Sequence, residues 1–415
     1  MVITQNNPSL FDKVSMTALI ISPILETYGW GTFNFSFIII SLLSVANVFK
    51  RGLPFYRVPK ALLVFLGFYY ISHLIACTSI GGILHLGILR ILLSILLLYS
   101  CFDIMWFTDS YRTIAKICIA FFFIQELSLL ITGIRIPGVV SFLPNSLGVD
   151  VSLFIAKMKE AERSSSFFSE PAMFVQFLLP LLIVELFAFK NIKWRWCIFV
   201  VLTLLLTRSG NALIGLMLIA MVFIYWLFTS QVLSKKKKMW ITTSVFLISI
   251  IAFPIYLNSE IGESMLERTD TMKLPDTTNA YTSGFLRIWR GYFVYDQYDT
   301  IYKIIGNDNP IYIDNAIYNS PVSDFFGEKE RYFNNVQTCL LHTGIIGVFI
   351  FSFFIKKEFK HSNLCGKTLL LLFIVLSFIA YFYFKAMMLI ILVYTSYMSD
   401  STVLLDKRTK VCLHL

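Results

Sequence analysis

The chain has 415 residues, 57% of them hydrophobic and 14% charged, with a mean hydropathy of +0.73 and a net charge of +10. Ordinary soluble domains carry roughly 25% charged residues, so this composition excludes a water-soluble globular protein and points to an all-α polytopic membrane protein. The positive balance does not call for nucleic acid: the lysine run 235–238 lacks interleaved aromatics, and a basic collar against anionic lipid accounts for it.

Apolar stretches fall near 14–29, 33–49, 61–76, 83–107, 114–133 and 172–189, then near 197–207, 211–228, 240–257, 336–355, 368–384 and 386–400. They predict about twelve transmembrane helices, the shortest of them tilted or broken. Residues 1–13 are polar and no small-residue cleavage site follows, so no cleavable signal peptide is expected. Basic residues follow every second stretch: Lys50, Arg51, Arg57 and Lys60; Arg112 and Lys116; Lys190, Lys193 and Arg195; Lys235 to Lys238; Lys356, Lys357, Lys360 and Lys367; and Lys407, Arg408 and Lys410. With both termini cytoplasmic, all these clusters share the cytoplasmic side. The connections 134–171 and 258–334 are then extracytoplasmic, the smaller and the larger loop of a single membrane domain covering 1–415.

The larger loop is acidic on balance and rich in aromatics, among them Tyr281, Trp289, Tyr292, Tyr295, Tyr298 and Tyr302. That is too aromatic for a disordered tail, and Ser283 can cap a helix from Gly284 to about Tyr298. The seven cysteines form no C-x-x-C pair, and His73, His85, His342, His361 and His414 lack zinc spacing, so neither a disulfide framework nor a metal cofactor is expected.

Three constellations could carry chemistry. Arg287 and Arg290 lie three apart, hence on one helix face, where paired guanidinium groups suit a diphosphate; Trp289 and Tyr292 beside them suit a sugar ring. The other reading is an interfacial amphipathic helix touching lipid phosphate. The run Arg163-Ser-Ser-Ser-Phe-Phe-Ser-Glu170-Pro171 precedes the sixth stretch. Pro171 fits a first helical turn with Ser169 or Glu170 as cap, and Arg163, the serine hydroxyls and free backbone N–H groups could form an anion site. Glu170 is a carboxylate able to take a sugar hydroxyl's proton, or else a plain partner of Arg163. Arg208-Ser-Gly-Asn211 places a charge between two apolar runs, either lining a cavity or snorkelling from a tight turn. Arg90 and Lys385 invite the same two readings. Asp103 reads as structural, and His342, inside the tenth stretch, as a hydrogen-bonded packing residue.

Four stretches, in this order, resemble the O-antigen polymerase (Wzy) group within the O-antigen polymerase and ligase superfamily. They are Arg163-Ser-Ser-Ser-Phe-Phe-Ser-Glu-Pro-Ala-Met-Phe, Thr207-Arg-Ser-Gly-Asn-Ala-Leu, Ser283-Gly-Phe-Leu-Arg-Ile-Trp-Arg and Asn334-Asn-Val-Gln-Thr-Cys-Leu-Leu-His-Thr-Gly-Ile-Ile-Gly347. The resemblance covers roughly residues 160–350. Ligases usually place a His before the Asn of the fourth stretch, where this chain has Phe333, a departure that favours polymerase.

The resemblance implies a glycosyltransferase that joins repeat units carried on undecaprenyl diphosphate at the periplasmic face of the bacterial inner membrane. The activated donor needs neither nucleotide sugar nor metal or other cofactor. It implies catalytic roles for Arg163, Glu170, Arg287 and Arg290, with Glu170 as base or orienter of the acceptor, and substrate contacts for Arg208, Trp289, Asn334 and Asn335. The two asparagines could also simply cap the tenth span. The implied partners are the lipid-linked oligosaccharide, membrane lipid and a chain-length regulator protein. An O-antigen ligase and a lipid-linked oligosaccharide flippase are the alternatives, with a small-solute transporter behind them.

Overall fold

The computed structural model describes residues 8–30, 33–77, 85–100, 103–140, 142–144, 159, 163–189, 191–229, 283–321, 323, 333–381 and 385–397, with single positions 236, 239, 243, 254, 258 and 263. The described helices are α1 (Leu10–Leu25), α2 (Phe35–Arg51), α3 (Lys60–Ala76), α4 (Leu86–Ser100), α5 (Ile104–Thr132), α6 (Pro171–Phe187), α7 (Trp194–Leu206), α8 (Gly210–Thr229), α9 (Ser283–Asp296), α10 (Thr300–Ile305), α11 (Pro310–Tyr318), α12 (Asn335–His361), α13 (Leu364–Ser377) and α14 (Ala386–Tyr397). A two-stranded ribbon pairs β1 (Gly29–Trp30) with β2 (Phe33–Asn34). The chain is an all-α membrane protein: α5, α8 and α12 are long and apolar enough to cross a bilayer, and α3, α4, α6, α7 and α13 are shorter apolar helices. Each expected apolar stretch coincides with a described helix except 240–257, which lies outside the described residues apart from single positions.

Capping chemistry shifts several boundaries. Ser9 and Asp12 form a capping box that starts α1 ahead of its apolar run. Asp103 accepts from the backbone N–H groups of Met105 and Trp106 at 3.0 Å, so the expected stretch 83–107 ends early and α5 starts ten residues before its expected position. Asp103 is thus a helix cap. Arg112 and Lys116 lie within α5 rather than in a connection, and Arg112 is buried against Glu185 of α6 at 2.5 Å.

α6 sits at the centre, touching α5, α7, α8, α13 and α14. Its sequence is apolar around the whole circumference, as a helix with no solvent face must be, and its side chains from Phe174 to Phe187 are buried. The Tyr111 hydroxyl donates to the Phe177 carbonyl, one turn before Pro180, and ties α5 to α6. Around α6 the apolar side chains form one continuous core.

The two ends of the bundle differ. At the basic end, Arg51 pairs with Asp12 at 2.7 Å and donates to the Ser100 carbonyl, which joins the start of α1 to the ends of α2 and α4. At the opposite end, the loop end, Arg90 pairs with Glu26 at 2.5 Å and the helices α9 to α11 are seated. These helices carry a small core of their own, Val294, Tyr298, Ile313, Ala316 and Ile317, closed by Phe333 and by Leu341 of α12. The helix expected from Gly284 to about Tyr298 is present as α9, Ser283–Asp296; the Ser283 side chain, expected as its cap, lies outside the described residues.

α12 is kinked. Gly344 has φ 61°, outside helical geometry, and an added Cβ there would lie 2.3 Å from the Ile304 carbonyl oxygen. Gly306, at φ 83°, presses on the backbone of His342 and Thr343 in the same way. Both glycines are required: only a residue without Cβ adopts these angles at such backbone separation. The end of α10 is therefore wedged into the kink of α12.

Candidate functional site

The first segment that shapes the loop end is the serine turn. Ser166 has φ 54° and is held by Gln125 of α5, whose Oε1 accepts from its backbone N–H at 2.8 Å. Its hydroxyl donates to the Cys118 carbonyl at 2.6 Å, and that of Ser165 donates to the Phe168 carbonyl at 2.8 Å. These two hydroxyls are consumed inside the fold, so the anion site expected from the serines is not formed by them; burial obliges each hydroxyl to find a nearby carbonyl. Ser164 is buried with its Oγ unpartnered among the described residues.

The turn delivers Glu170 as the N-cap of α6, with Pro171 at the first helical position as the sequence predicts. The Glu170 side chain makes no capping hydrogen bond and is exposed. Seven residues earlier, the Arg163 guanidinium donates to the Arg208 carbonyl at 3.3 Å. Arg208 occupies the tight turn between α7 and α8 at φ 51°, a left-handed conformation costing a non-glycine residue about 1–2 kcal/mol. The first and second of the four motifs are joined by this contact.

Asn334 and Asn335 open α12. Asn334 forms a capping box with Gln337 and donates from Nδ2 to the Phe378 carbonyl at 2.8 Å. Asn335 donates from Nδ2 to Ser377 Oγ at 3.2 Å and from its backbone to the Ala380 carbonyl at 3.0 Å. Both side chains are buried and occupied in holding the end of α13 against the start of α12, the capping alternative read from the sequence. Gln337 also carries α9: its Nε2 donates to the Ile288 carbonyl at 2.6 Å, and Gly291 lets the two helices close until an added Cβ would stand 2.6 Å from Gln337 Cβ. The Arg290 side chain is 3% exposed, Trp289 is half-buried 6.4 Å from Tyr292 between ring centroids, and the Arg287 side chain lies outside the described residues.

A cavity of about 90 Å³ lies where three of the motifs meet. Glu170 and Gln176 come from the start of α6, Asn211 from the start of α8, and Phe333 and Asn334 from the start of α12, with Tyr381 and Lys385 from the segment before α14. Among the described residues Glu170 is its one carboxylate and Lys385 its one cation, with Nζ 4.8 Å above the Tyr381 ring. Arg163, Arg208, Arg290 and Trp289 do not line this cavity, although their segments abut it through the contacts above. The sequence singled out Lys385 only as a charge near an apolar run; that it lines one cavity with Glu170, more than 200 residues away in the chain, is something no spacing rule reports.

A second polar cluster, unread in the sequence, occupies the same end of the bundle. Asp308, between α10 and α11, accepts from His73 Nδ1 at 2.8 Å and from His85 Nε2 at 3.1 Å. His342 meets the Tyr69 hydroxyl at 2.9 Å through Nδ1, the packing role expected of it. His73, His85 and Asp308 are close enough together to hold a metal ion. However, His85 Nδ1 accepts the Ile88 backbone N–H at 2.9 Å, so its proton resides on Nε2, facing Asp308. That tautomer gives a hydrogen-bonded network and not a ligand set.

Burial by itself would raise the Asp308 pKa, but the His85 hydrogen bond, the nearby His342 and the contact with His73 together hold it below its ordinary value. A carboxylate whose folded pKa is depressed stabilises the fold above its unfolded pKa of about 4, and the contribution is lost as the pH falls through the lower folded value. Asp308→Asn is expected to cost about 1–3 kcal/mol at neutral pH and to flatten stability on the acid limb, read by thermal melting in detergent across pH.

Compared with known proteins, residues 149–271 match a family model described as WcaD colanic acid polymerase. The matched region contains Arg163, Glu170, Arg208 and Asn211. No curated protein matches the chain. The family match supports a Wzy-type polysaccharide polymerase, the group that the four motifs resemble, and with it polymerisation of repeat units in a membrane. Nothing in it favours a ligase or a flippase.

Proposed function

We propose that this chain, a repeat-unit polymerase of Wzy type, transfers a growing glycan from undecaprenyl diphosphate to a new lipid-linked repeat at the cavity bounded by Glu170 and Lys385. The observation that carries the proposal is the meeting of Glu170, Asn211 and Asn334, each from a different motif, in one small cavity at the loop end. In the reaction a hydroxyl of the incoming repeat attacks the anomeric carbon of the growing chain. The bond from that carbon to the diphosphate oxygen breaks, the electron pair leaves on undecaprenyl diphosphate, and the hydroxyl proton passes to the Glu170 carboxylate. A leaving diphosphate is stabilised by fixed cations. Lys385 stands in the cavity, and Arg163, Arg208, Arg287 and Arg290 lie on the segments around it. Because the leaving group is already activated, the step asks for no metal.

In this reading the loop end faces the periplasm, the basic end and both termini face the cytoplasm, and about twelve helices span the inner membrane. The basic residues Lys50, Arg51, Lys356, Lys357 and Lys360 at one end support that orientation. Asn334 and Asn335 act by fixing the cavity's rim, Trp289 supplies a face for a sugar, and a chain-length regulator acts from outside.

The test is a gel of surface polysaccharide from a host lacking the gene, complemented with the wild type, Arg290→Ala or Arg290→Lys. The wild type restores the ladder. Arg290→Ala leaves core bearing one repeat, and Arg290→Lys restores part of the ladder because a point charge replaces the planar fork. Core with no repeat at all in the empty host would sink the polymerase reading.

A further inference from the structure

A groove of about 490 Å³ runs between α12 and α13 on the outside of the bundle. Its wall is almost wholly apolar. It begins at Asn335 and Ser377, passes Phe351 and Ile374, and ends by Lys356. From Asn335 to Lys356 the helix follows at most about 30 Å of contour, kinked at Gly344, so the groove reaches over much of the bilayer's hydrocarbon core. Its upper lip and the rim of the small cavity are made by consecutive residues. Asn334 lines the cavity while Asn335 lines the groove, and Phe378 lines the groove while Ile379 lines the cavity. The hydrogen bonds from Asn334 to the Phe378 carbonyl and from Asn335 to Ser377 Oγ fasten that shared lip.

We infer that this groove holds the isoprenoid chain of the lipid-linked donor while its diphosphate lies at the shared lip beside the adjoining cavity. The inference rests on the polymerase reading for the identity of the head group. A small cavity holding Glu170 and Lys385 shares its rim with the end of a long apolar groove, which together suit one amphiphile. Aromatic rings line the channel, and they pack well against the repeated methyl branches of an isoprenoid.

The experiment places a benzoyl-phenylalanine photo-crosslinker at Ile374, and at exposed Met221 of α8 as control, in the full chain. The protein is reconstituted in nanodiscs of phosphatidylethanolamine and phosphatidylglycerol containing undecaprenyl diphosphate as a minor component, and adducts are identified by mass. The expected result is isoprenoid enriched at position 374 and phospholipid alone at 221. Phospholipid at both positions, in proportion to its abundance, overturns the inference. In a second arm Ser352→Trp fills the groove away from the lip. It raises KM for the lipid-linked donor about tenfold, the equivalent of excluding about two buried methylene groups, and leaves kcat unchanged. An unchanged KM in a folded variant also overturns it. Isoprenoid capture without polymer formation would sink the polymerase reading and leave the groove, whereas polymer with phospholipid-only adducts would do the reverse.

Discussion

Replacing Glu170 by glutamine lowers polymer formation by about 10²–10⁴-fold while the melting temperature stays at the wild-type value. The magnitude is that of losing a positioned proton acceptor. The unchanged stability follows from the surroundings of the side chain, which is exposed and makes no hydrogen bond to the helix it caps. Glutamine keeps the shape and the backbone conformation at the start of α6 but cannot take the proton. The measurement is polymer ladder intensity against membrane-extracted protein level, with single-turnover transfer in reconstituted vesicles to separate chemistry from release. Ordinary polymer from Glu170→Gln would remove the carboxylate from the mechanism and leave positioning and cation stabilisation as the whole of the catalysis.

Gly344→Ala has the largest effect on the fold. The residue sits at φ 61°, where an L side chain costs about 1–2 kcal/mol, and its new Cβ would lie 2.3 Å from a backbone oxygen that has no rotamer by which to move aside. Overpacking of this kind adds about 1–3 kcal/mol. The sum, about 2–5 kcal/mol, falls on the junction where α10 meets α12. The expected outcome is a clearly lowered melting temperature in detergent and loss of polymer, with protease cleavage appearing first between 296 and 321. A melting temperature equal to that of the wild type would show that the wedge of α10 into the kink is not a tight fit.

Apolar run length and cap chemistry carried most of the helical plan, because both act within a few residues of one another. Pro171 at the start of α6 and Asp103 as a structural carboxylate were readable for that reason. The stretch 83–107 was not, since hydropathy alone does not register that Asp103 prefers to cap the next helix to sitting inside the previous one. The site divides along the same line. Glu170, Asn211 and Asn334 were legible as short motifs, but that Glu170 and Lys385 face one cavity is set by packing around α6. The serine turn shows the converse: Ser165 and Ser166 invite an anion, yet Gln125 and the Cys118 carbonyl of α5 claim that turn once the chain is folded. The cluster of His73, His85, Asp308 and His342 had no local signal at all, because its members come from four separate segments.

The pairing of Arg112 with Glu185 has a consequence for how the chain is made. Translocon scales place the cost of a single charge at a helix centre at about 2.5–3.5 kcal/mol, and here α5 carries the positive member and α6 the negative one, each almost fully buried. Neither segment reaches its lowest free energy in lipid until the other arrives beside it. The central helix thus carries a built-in requirement for its neighbour, and the order in which segments leave the ribosome becomes part of the folding code. α5 emerges first with Asp109, one turn away, as its arginine's exposed partner, and α6 then adds Glu185 as the buried one.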